Sequence, residues 1–308
     1  MTGPQFLISR FSALGDTVCC LPVASALKSS FPDCTIDWLV DRRFSDVVEC
    51  CSAVDRVIAC WQTLYTVGYA ARYELALDLQ GLFKSAWPIF WCRADRKLGY
   101  HWQREGSWLA SAQVKPDPSS LHVVDQYVDV ARAAGATADR AEFRLAAPAE
   151  DVSRMRERVG DATNLVVINP GAGWVTKRWP AESFAVVCDE LARLGATPVL
   201  VGGKAPADRE AAGELVGQCS SKPISLVGET NIKELIALIG LAKAHLGGDT
   251  GSSHIAAALG VPAIGLYSIT NPVRSCPYGQ IDRCHYDPRG LSSIQPGPVV
   301  ESIRQVLS

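Results

Sequence analysis

The amino-acid sequence predicts an α/β protein made of two Rossmann-like domains with mostly parallel sheets, and three observations support that prediction. Short apolar segments alternate with segments of helical periodicity, which indicates strands joined by right-handed helical crossovers. This alternation is interrupted over residues 135–149, a stretch punctuated by Ala, Gly and Pro, and then begins again. Glycine-rich turns follow several predicted strands, and in open parallel sheets ligands bind at those carboxyl ends. We therefore expect two domains that face each other across a ligand-binding cleft.

The composition is that of a globular protein large enough for two domains. The chain has 308 residues, of which 48% are hydrophobic and 20% charged. Its formal net charge of −2 gives no reason to expect nucleic acid as a partner. No segment approaches the roughly 18 apolar residues that span a bilayer, and the N-terminus lacks the pattern of a signal peptide. We expect a cytoplasmic protein.

The cysteines predict reduced thiols, mostly buried as small apolar residues. There are eleven of them, an odd number, and no pair has Cys-x-x-Cys spacing. Cys276, Cys284 and His285 offer metal-binding side chains, but without a second cysteine pair they do not form a typical zinc site. No metal and no cofactor are predicted.

The first domain is predicted to cover residues 1–148. Its predicted strands are 6–9, 35–40, 57–59 and 75–79. One predicted helix follows the first strand, and another lies between residues 59 and 75. The other predicted helices are 44–51, 83–91 and 123–134. The periodic apolar residues of the first helix are Val18, Leu21, Ala24 and Leu27.

The second domain, residues 149–308, repeats this pattern. Its predicted strands are 165–169, 198–201, 224–227, 244–246 and 263–266. Its predicted helices are 182–194, 232–241 and an Ala-rich helix after Gly247. The last helix is a candidate to pack back on the first domain.

The glycine-rich turn that begins at Gly247 is the strongest candidate for a ligand site. It leads into a helix whose first N–H groups and positive dipole end suit a phosphate. Thr250, Ser252 or Ser253 is expected to cap that helix. Because a carboxylate repels phosphate, Asp249 is expected to face sugar hydroxyls, while the N–H groups of Thr250 and Gly251 face phosphates. A strand-to-helix turn with good caps and no ligand explains this stretch equally well.

Asp16 is the first candidate for acid–base chemistry. It stands at the start of a helix after the first strand, where aspartate is a preferred N-cap, and the local sequence favours that interpretation. The alternative is a general base that takes a proton from an acceptor hydroxyl.

A second glycine-rich turn, which includes Gly171 and Gly173, precedes Lys177. It is not a P-loop, since Gly-x-x-x-x-Gly-Lys-[Ser/Thr] is absent. Such a turn can hold a diphosphate, and the lysine would neutralise charge on a leaving group. The alternative is a solvated lysine in a loop. Gly202-Gly203 with Asp208 gives a third, weaker signal, in which the carboxylate could reach ribose or sugar hydroxyls.

A basic and aromatic stretch extends from Lys84 to Arg104. Its basic residues are Lys84, Arg93, Arg96, Lys97 and Arg104, and Trp87, Phe90, Trp91, Tyr100 and Trp102 are interleaved with them. This pattern suits an anionic acceptor at a membrane surface. The alternative is an amphipathic helix that buries its aromatic residues and has a basic solvated rim.

Several motifs together resemble one family. They are Ser12-Ala13-Leu14-Gly15-Asp16, Leu79-Gln80-Gly81-Leu82-Phe83-Lys84-Ser85, Trp102-Gln103-Arg104, Lys177-x-Trp179-Pro180 and Gly248-Asp249-Thr250-Gly251-Ser252-Ser253-His254. Over nearly its whole length the chain resembles the ADP-heptose:lipopolysaccharide heptosyltransferases, glycosyltransferase family 9, which have the GT-B fold. The second and third motifs look most like the heptosyltransferase I branch, which adds the first heptose to the Kdo–lipid A inner core.

The resemblance implies roles for individual residues. Asp16 matches the proposed catalytic base, and Lys177 matches the lysine that binds the donor's phosphates. The positions implied for donor binding are Gly171, Gly173, Lys177, Asp208, Thr230, Asp249, Thr250, Gly251 and His254. Those implied for acceptor binding are Ser12, Gly15, Gln80, Lys84 and Arg104. Asp208 aligns only loosely with a ribose-binding acid that is usually Glu, and Ala172 and Gly173 replace two hydroxyl residues of the nearest relatives.

The resemblance further implies an inverting, metal-independent transfer of heptose from ADP-heptose to a Kdo–lipid A type acceptor, as a step of lipopolysaccharide biosynthesis. Such an enzyme would be cytoplasmic and peripherally associated with the inner membrane. Two alternatives stay open at this point. One is a GT-B enzyme that uses another nucleotide sugar or acts as an epimerase. The other is a dinucleotide-dependent oxidoreductase or a non-catalytic nucleotide-binding module, although the absence of Gly-x-Gly-x-x-Gly after the first strand counts against the oxidoreductase.

Overall fold

The structure is a computed structural model that describes residues 3–59, 71–171 and 178–308. The chain divides into two compact units, Met1–Ala146 and Ala147–Ser308. The helix predicted between the third and fourth strands lies outside the described residues. Gly173 and Lys177 lie outside them as well.

The first unit is built on a parallel sheet of six strands. The strands are β1 (Gln5–Ser9), β2 (Thr35–Leu39), β3 (Arg56–Ile58), β4 (Arg72–Asp78), β5 (Arg93–Tyr100) and β6 (Ala112–Val114). Their spatial order is β3-β2-β1-β4-β5-β6, and all of the pairs are parallel. This is a doubly wound order. The direction in which successive strands are added to the sheet reverses between β1 and β4.

Helices of the first unit cover this sheet. They are α1 (Leu14–Ser30), α2 (Ser45–Glu49), α3 (Phe83–Trp91) and α4 (Val123–Ala133). Helix α1 is buried at every position from Thr17 to Leu27 and packs against α4. A helix that is apolar on all sides belongs in a core. It therefore holds the turn that precedes it rigidly at the end of β1.

The second unit repeats the same topology. Its strands are β7 (Leu165–Asn169), β8 (Thr197–Leu200), β9 (Ile224–Ser225), β10 (Ala244–Gly247), β11 (Ala263–Tyr267) and β12 (Cys284–Tyr286). They lie in the order β12-β11-β10-β7-β8-β9, again all parallel. In this sheet the strand order reverses between β7 and β10, so the point of reversal again lies beside the first strand of the unit.

The helices of the second unit are α5 (Ala149–Val159), α6 (Ala181–Arg193), α7 (Pro206–Gln218), α8 (Ile232–Leu241), α9 (Gly251–Ala258), α10 (Pro272–Ser275) and α11 (Pro296–Leu307). The last helix, α11, contributes Val299, Val300 and Ile303 to the core of this unit, where they join side chains of α6, β10 and β11.

Several elements were not predicted, for identifiable reasons. Helices α5 and α7 bury only a few residues each, so their apolar stripe is too narrow to stand out. Strand β5 begins with four mostly charged residues, which suggested a basic surface segment. It forms because its backbone pairs with β4 on one side and β6 on the other.

Two general features of the described residues bear on earlier expectations. Every cysteine in the described ranges is a free thiol, and eight of these ten are buried. No helix within the described part of the chain is long and apolar enough to cross a membrane.

Candidate active site

The carboxyl ends of β1 and β4 lie side by side in the first unit. Ser9 and Asp78, the last residues of these strands, are paired in the sheet register. The turn that leads into α1 and the turn that leads into α3 therefore meet at this edge. The strand order reverses at this edge, and open α/β sheets bind their ligands at such a point.

Asp16 lies in this region as the third residue of α1. The N-cap is Ala13, so the expectation that Asp16 itself is the N-cap was wrong. The Oδ2 atom of Asp16 accepts the backbone N–H of Ala13 at 3.3 Å and pairs with Arg10 at 2.8 Å. Its side chain is 53% exposed, and both contacts use the same oxygen. Oδ1 takes part in neither of these two contacts.

Arg10 was missed by the sequence analysis. Its guanidinium is almost fully buried, donates to the carbonyl oxygen of Leu79 at 2.6 Å and to the hydroxyl of Tyr127 at 3.0 Å, and reaches Asp16 with its other nitrogen. Burial alone would lower the pKa of Arg10, but Tyr127, Cys20 and Asp16 together raise it above its ordinary value. The available signal was an arginine directly after a buried strand, a position where a charge needs a partner.

Ser12, Gln80 and Lys84 form a hydrogen-bonded cluster at the same edge. Lys84 Nζ donates to Ser12 Oγ at 2.7 Å, and Gln80 Nε2 lies 3.3 Å from that oxygen. The other end of the amide, Gln80 Oε1, accepts the backbone N–H of Phe11 at 2.9 Å. Three of the predicted acceptor-binding residues are thus brought together. One of them, Lys84, is a cation that can bind an anion.

The turn after β4 is fixed by Asp78 and Gly81. Asp78 is buried, and its Oδ1 accepts the backbone N–H groups of Gln80 and Gly81, both at 3.0 Å. Gly81 has φ of +68°, and a Cβ there would come within 2.4 Å of the Trp102 carbonyl oxygen, so only glycine fits. The Gly81 carbonyl accepts the backbone N–H of Arg104 at 2.8 Å. Arg104 therefore follows the same turn, with its guanidinium 5.8 Å from the Trp102 ring centroid.

An equivalent edge exists in the second unit, where β7 and β10 end. Asn169 and Gly247, the last residues of these strands, are paired in the sheet register. The turn at residues 170–171 and the turn that leads into α9 therefore begin side by side. Thr250 is the N-cap of α9, but its side chain makes no capping hydrogen bond. The predicted side-chain cap at Thr250 is therefore not formed, because the hydroxyl is engaged elsewhere.

The Thr250 hydroxyl belongs to a network centred on Ser252. Ser252 Oγ lies 3.0 Å from Thr250 Oγ1, 2.9 Å from Asn169 Nδ2 and 3.0 Å from His245 Nε2. The Oδ1 atom of Asn169 accepts the backbone N–H of Gly171 at 3.0 Å. This network ties the two turns together, so that they form one structure at the carboxyl edge.

His245 in that network was also missed by the sequence analysis. It is fully buried on β10, and burial, helped by the nearby His254, lowers its pKa to about 3. The imidazole is therefore neutral at physiological pH. A histidine inside an otherwise apolar strand was the signal that could have found it.

Asp249 and His254 lie near each other. His254 Nε2 is 3.6 Å from Asp249 Oδ1, and the His254 side chain is about 9% exposed. Gly251 begins α9 between them. Three of the predicted donor-binding residues thus flank the start of one helix.

Asp208 lies against both glycine turns. An ideal Cβ on Gly171 would be 2.7 Å from Asp208 Oδ1, and one on Gly203 would be 2.6 Å from Oδ2. The carboxylate therefore fills the space that side chains at these two positions would need. The weak signal at Gly202-Gly203 and Asp208 corresponds to a real proximity between this acid and the turn after β7.

Among the described residues, no hydrogen bond links Thr230 to the Ser252 network or to Asp208. Thr230 is half-buried and directly precedes Asn231, the N-cap of α8. Gly15 is the second residue of α1, one position before Asp16. In the described ranges, no group of three or more His, Cys, Asp or Glu side chains is placed to hold a metal ion.

An exposed group of aromatic side chains, here called the aromatic surface, lies on α3. It consists of Phe83, Trp87, Phe90 and Trp91, each about half exposed. Their ring centroids lie 5.3–5.6 Å apart in a continuous row. The interpretation in which this helix buries its aromatic residues was therefore wrong. Arg93, Arg96 and Lys97 are on β5 and not on a helical rim.

Two doubly wound sheets, each with polar turns where the strand order reverses, define an α/β protein of the Rossmann class. Residues 59–291 match the family described as glycosyltransferase family 9 (heptosyltransferase). The chain belongs to glycosyltransferase family 9. The predicted family and the predicted class of enzyme, a glycosyltransferase, are thereby confirmed.

Individual relatives agree with this assignment. The chain is 26% identical over 288 residues to the lipopolysaccharide core heptosyltransferase OpsX of Haemophilus influenzae, in a match that covers 89% of this chain and 82% of that protein. It is 28% identical over 299 residues to lipopolysaccharide heptosyltransferase 1 of Pseudomonas aeruginosa, covering 90% of this chain and 82% of the relative. The solved structure of E. coli heptosyltransferase WaaC with ADP superposes with a TM-score of 0.80 at 23% identity, over 98% of this chain and 99% of that chain. The predicted GT-B type of α/β fold is confirmed by this likeness.

Proposed function

We propose that this glycosyltransferase moves heptose from ADP-heptose to a Kdo–lipid A type acceptor in lipopolysaccharide biosynthesis, with inversion at the transferred carbon and Asp16 as the general base. The observation that carries the proposal is the pairing of a half-exposed Asp16 with a buried Arg10, beside the Ser12, Gln80 and Lys84 cluster. A carboxylate held in this way is fixed in position and accessible.

The acceptor side of the proposal rests on charge. An inner-core glycolipid is anionic, and among the described residues Lys84 Nζ donates to a neutral hydroxyl, that of Ser12, and forms no salt bridge. Arg104 follows the turn at Gly81 on the same edge of the sheet. These two cations suit the carboxylates and phosphates of such an acceptor.

The donor side rests on the second unit. The start of α9 lacks a side-chain cap and is linked through Ser252 and Asn169 to the turn at Gly171. The Asp208 carboxylate lies against that turn. A helix start without a side-chain cap can bind a diphosphate, and a nearby carboxylate can accept hydrogen bonds from ribose hydroxyls. The relative WaaC was solved with ADP, which supports an ADP-sugar as donor here. Lys177, Gly173 and Thr230 are proposed to complete this site.

The proposed reaction is a single displacement. Asp16 takes the proton of the acceptor hydroxyl, and the resulting oxygen forms a bond to the anomeric carbon of heptose. The bond between that carbon and the β-phosphate oxygen breaks, and ADP leaves with the electron pair. Lys177 and the N-terminus of α9 stabilise the charge on the leaving diphosphate. Attack from the face opposite the leaving group inverts the anomeric centre.

We further propose that the protein binds the inner face of the cytoplasmic membrane peripherally. The aromatic surface on α3 would contact the interface, and Lys84, Arg93 and Lys97 would face anionic head groups. The turn Ser107–Leu109, which packs beside α3, adds two strongly exposed apolar side chains, Trp108 and Leu109. Such an arrangement would bring the enzyme to a lipid-anchored acceptor.

Transfer from ADP-heptose to Kdo–lipid A, measured for the wild type and for Asp16→Asn, tests the proposal. We expect transfer by the wild type and a loss of about 10²–10⁴-fold in kcat for the variant, with ADP binding unchanged. Transfer by Asp16→Asn at the wild-type rate would remove Asp16 as the base. Binding of ADP-heptose without transfer would retain the donor and refute the acceptor, and failure to bind any ADP-sugar would refute the donor.

A further inference from the structure

His245 has a hydrogen-bond partner in the donor turn. The side chain is fully buried, with Nε2 3.0 Å from Ser252 Oγ. Gly247, two residues further along the strand and thus on the same face, makes room for the ring, since a Cβ there would be 2.9 Å from His245 Cε1. Among the described residues His245 Nδ1 has no hydrogen-bond partner.

This asymmetry selects one tautomer. Burial lowers the pKa of His245 to about 3, so the ring is neutral and carries one proton. A buried N–H without a partner is rarer than an acceptor without one. The proton therefore belongs on Nε2, which donates to Ser252, and Nδ1 is left as the unpaired acceptor.

The direction of the remaining hydrogen bonds follows from that proton. Asn169 Oδ1 accepts the Gly171 N–H, so the amide orientation is fixed and Nδ2 donates to Ser252 at 2.9 Å. With two donors on its oxygen, Ser252 gives its own proton to Thr250 Oγ1 at 3.0 Å. The Thr250 proton then has only a long contact. Ser253 Oγ, which donates to the Gly248 carbonyl at 2.7 Å, can accept it at 3.4 Å, and Asn169 Nδ2 at 3.5 Å can only donate to Thr250. Because 3.4 Å is long for a bond between two hydroxyls, this proton can turn to a stronger acceptor.

We infer that His245 is a positioning residue for the donor site: it orients a chain of hydrogen bonds from its own Nε2 through Ser252 to Thr250, so that the Thr250 hydroxyl presents its proton to the diphosphate of the nucleotide sugar. The inference deepens the proposed function and rests on it. His245 does not touch the ligand and acts only through the two hydroxyls. Thr250 stands at the N-cap of α9, so its donated proton adds to the N–H groups of that helix.

ADP binding by isothermal titration calorimetry tests the inference. His245→Phe keeps the ring volume and removes the donor. Ser252 is then free to donate elsewhere, and we expect the Kd for ADP to rise about three- to tenfold, the range for one aligned hydrogen bond. In a Thr250→Val background the same substitution should leave the Kd for ADP unchanged, since the end of the chain is already missing.

Two further variants separate positioning from packing. His245→Gln supplies an N–H donor near the place of Nε2 and should restore ADP binding to within about twofold of the wild type. The matched control is His285→Phe, because His285 Nε2 lies 3.1 Å from Ser302 Oγ in the same unit, on β12. This variant should bind ADP as the wild type does. Thermal unfolding of each variant shows which of them are folded.

The outcomes separate this inference from the proposed function. If the wild type binds ADP and His245→Phe binds it equally well, the inference fails and the donor stands. The inference also fails if His245→Phe raises the Kd equally in the wild-type and Thr250→Val backgrounds, because packing would then be the cause. If the wild type does not bind ADP, the proposed donor fails and the inference fails with it.

Discussion

The guanidinium of Arg10 lies 2.8 Å from the carboxylate of Asp16, and the two side chains differ sharply in exposure, at 6% and 53%. The arginine is fixed from behind by the Leu79 carbonyl and the Tyr127 hydroxyl. Because a buried guanidinium cannot move away from its acceptors without leaving them unpaired, it holds the accessible carboxylate in one place. The exposed carboxylate is thus held by a side chain that belongs to the core.

Substitution of Arg10 by lysine should impair transfer more than donor binding. Lysine keeps a charge but has no fork, so it cannot contact Leu79, Tyr127 and Asp16 together. We expect kcat to fall about ten- to a hundredfold, because the proposed base, Asp16, loses its fixed orientation, with the Kd for ADP unchanged. Steady-state kinetics with saturating donor and calorimetry with ADP measure the two quantities.

Arg43→Lys is the control for this substitution. Arg43 makes a similar forked contact with Asp41, but it is 73% exposed. An exposed pair contributes little, so activity and stability should stay at the wild-type level. Equal rates for Arg10→Lys and the wild type would show that Asp16 needs no fixed partner.

Gly171→Ala should disturb the proposed donor site through Asp208. The new methyl group would lie 2.7 Å from Asp208 Oδ1, and the carboxylate can move away because it ends a flexible side chain. We therefore expect a small loss of stability, about 1 kcal/mol or less, and weaker ADP binding, similar to that of Asp208→Ala. The two substitutions should not be additive, because in Asp208→Ala the methyl group has space.

Gly213→Ala provides the comparison for a glycine without such a neighbour. Gly213 is inside α7, and no heavy atom among the described residues lies within 4 Å of the place of its Cβ. Alanine there should stabilise the protein by about 0.5–1 kcal/mol and leave ADP binding unchanged. Additive effects of Gly171→Ala and Asp208→Ala on the Kd for ADP would contradict the contact between them.

The sequence was sufficient to predict the strands that carry the site and the turns that follow them. Apolar strands such as β1 and β7 stand out because both of their faces are buried, and glycines mark the turns. Strand β5 could not be predicted, because its charged residues gain their place from backbone pairing with neighbours distant in the chain. Local patterns do not contain that information.

The candidate site was predictable where a residue type is unusual in its place and unpredictable where a partner decides its role. Asp16 could be placed near a helix start, but whether it caps the helix or faces a ligand depends on Arg10, six residues before it and outside the helix. His245 has the same character, since its contact with Ser252 forms only once β10 and α9 have folded together. Lys177 and Gly173 remain predictions.

Loss of two tryptophans from the aromatic surface should weaken membrane binding. Trp87→Ser with Trp91→Ser removes two half-exposed rings from α3 and leaves the Ser12, Gln80 and Lys84 cluster intact. We expect cosedimentation with phosphatidylglycerol vesicles to fall by roughly tenfold. Binding by the wild type should also weaken at high salt, because the basic residues act through screened charges.

Ile269→Ser is the control, since Ile269 is 69% exposed but belongs to the second unit. Its vesicle binding should equal that of the wild type. Undiminished binding by the double tryptophan variant would locate the membrane contact elsewhere, and equal binding to phosphatidylcholine vesicles would argue against a role for the basic residues.

Acid should destabilise the protein through His245. In the unfolded chain a histidine has a pKa of about 6.5, whereas burial lowers the pKa of the folded His245 to about 3. The stability that this neutral ring contributes is complete above about pH 6.5 and is lost as the pH falls towards 3, because the unfolded state then binds a proton that the folded state does not. Between these limits one such group makes the free energy of unfolding change by up to about 1.4 kcal/mol per pH unit.

The Tm of His245→Phe should therefore fall less between about pH 7 and pH 4 than the Tm of the wild type does. Ser252→Ala, which removes the hydrogen-bond partner but keeps the buried ring, should have a lower Tm and the wild-type pH dependence. Parallel Tm curves for His245→Phe and the wild type would show that another group controls the acid response.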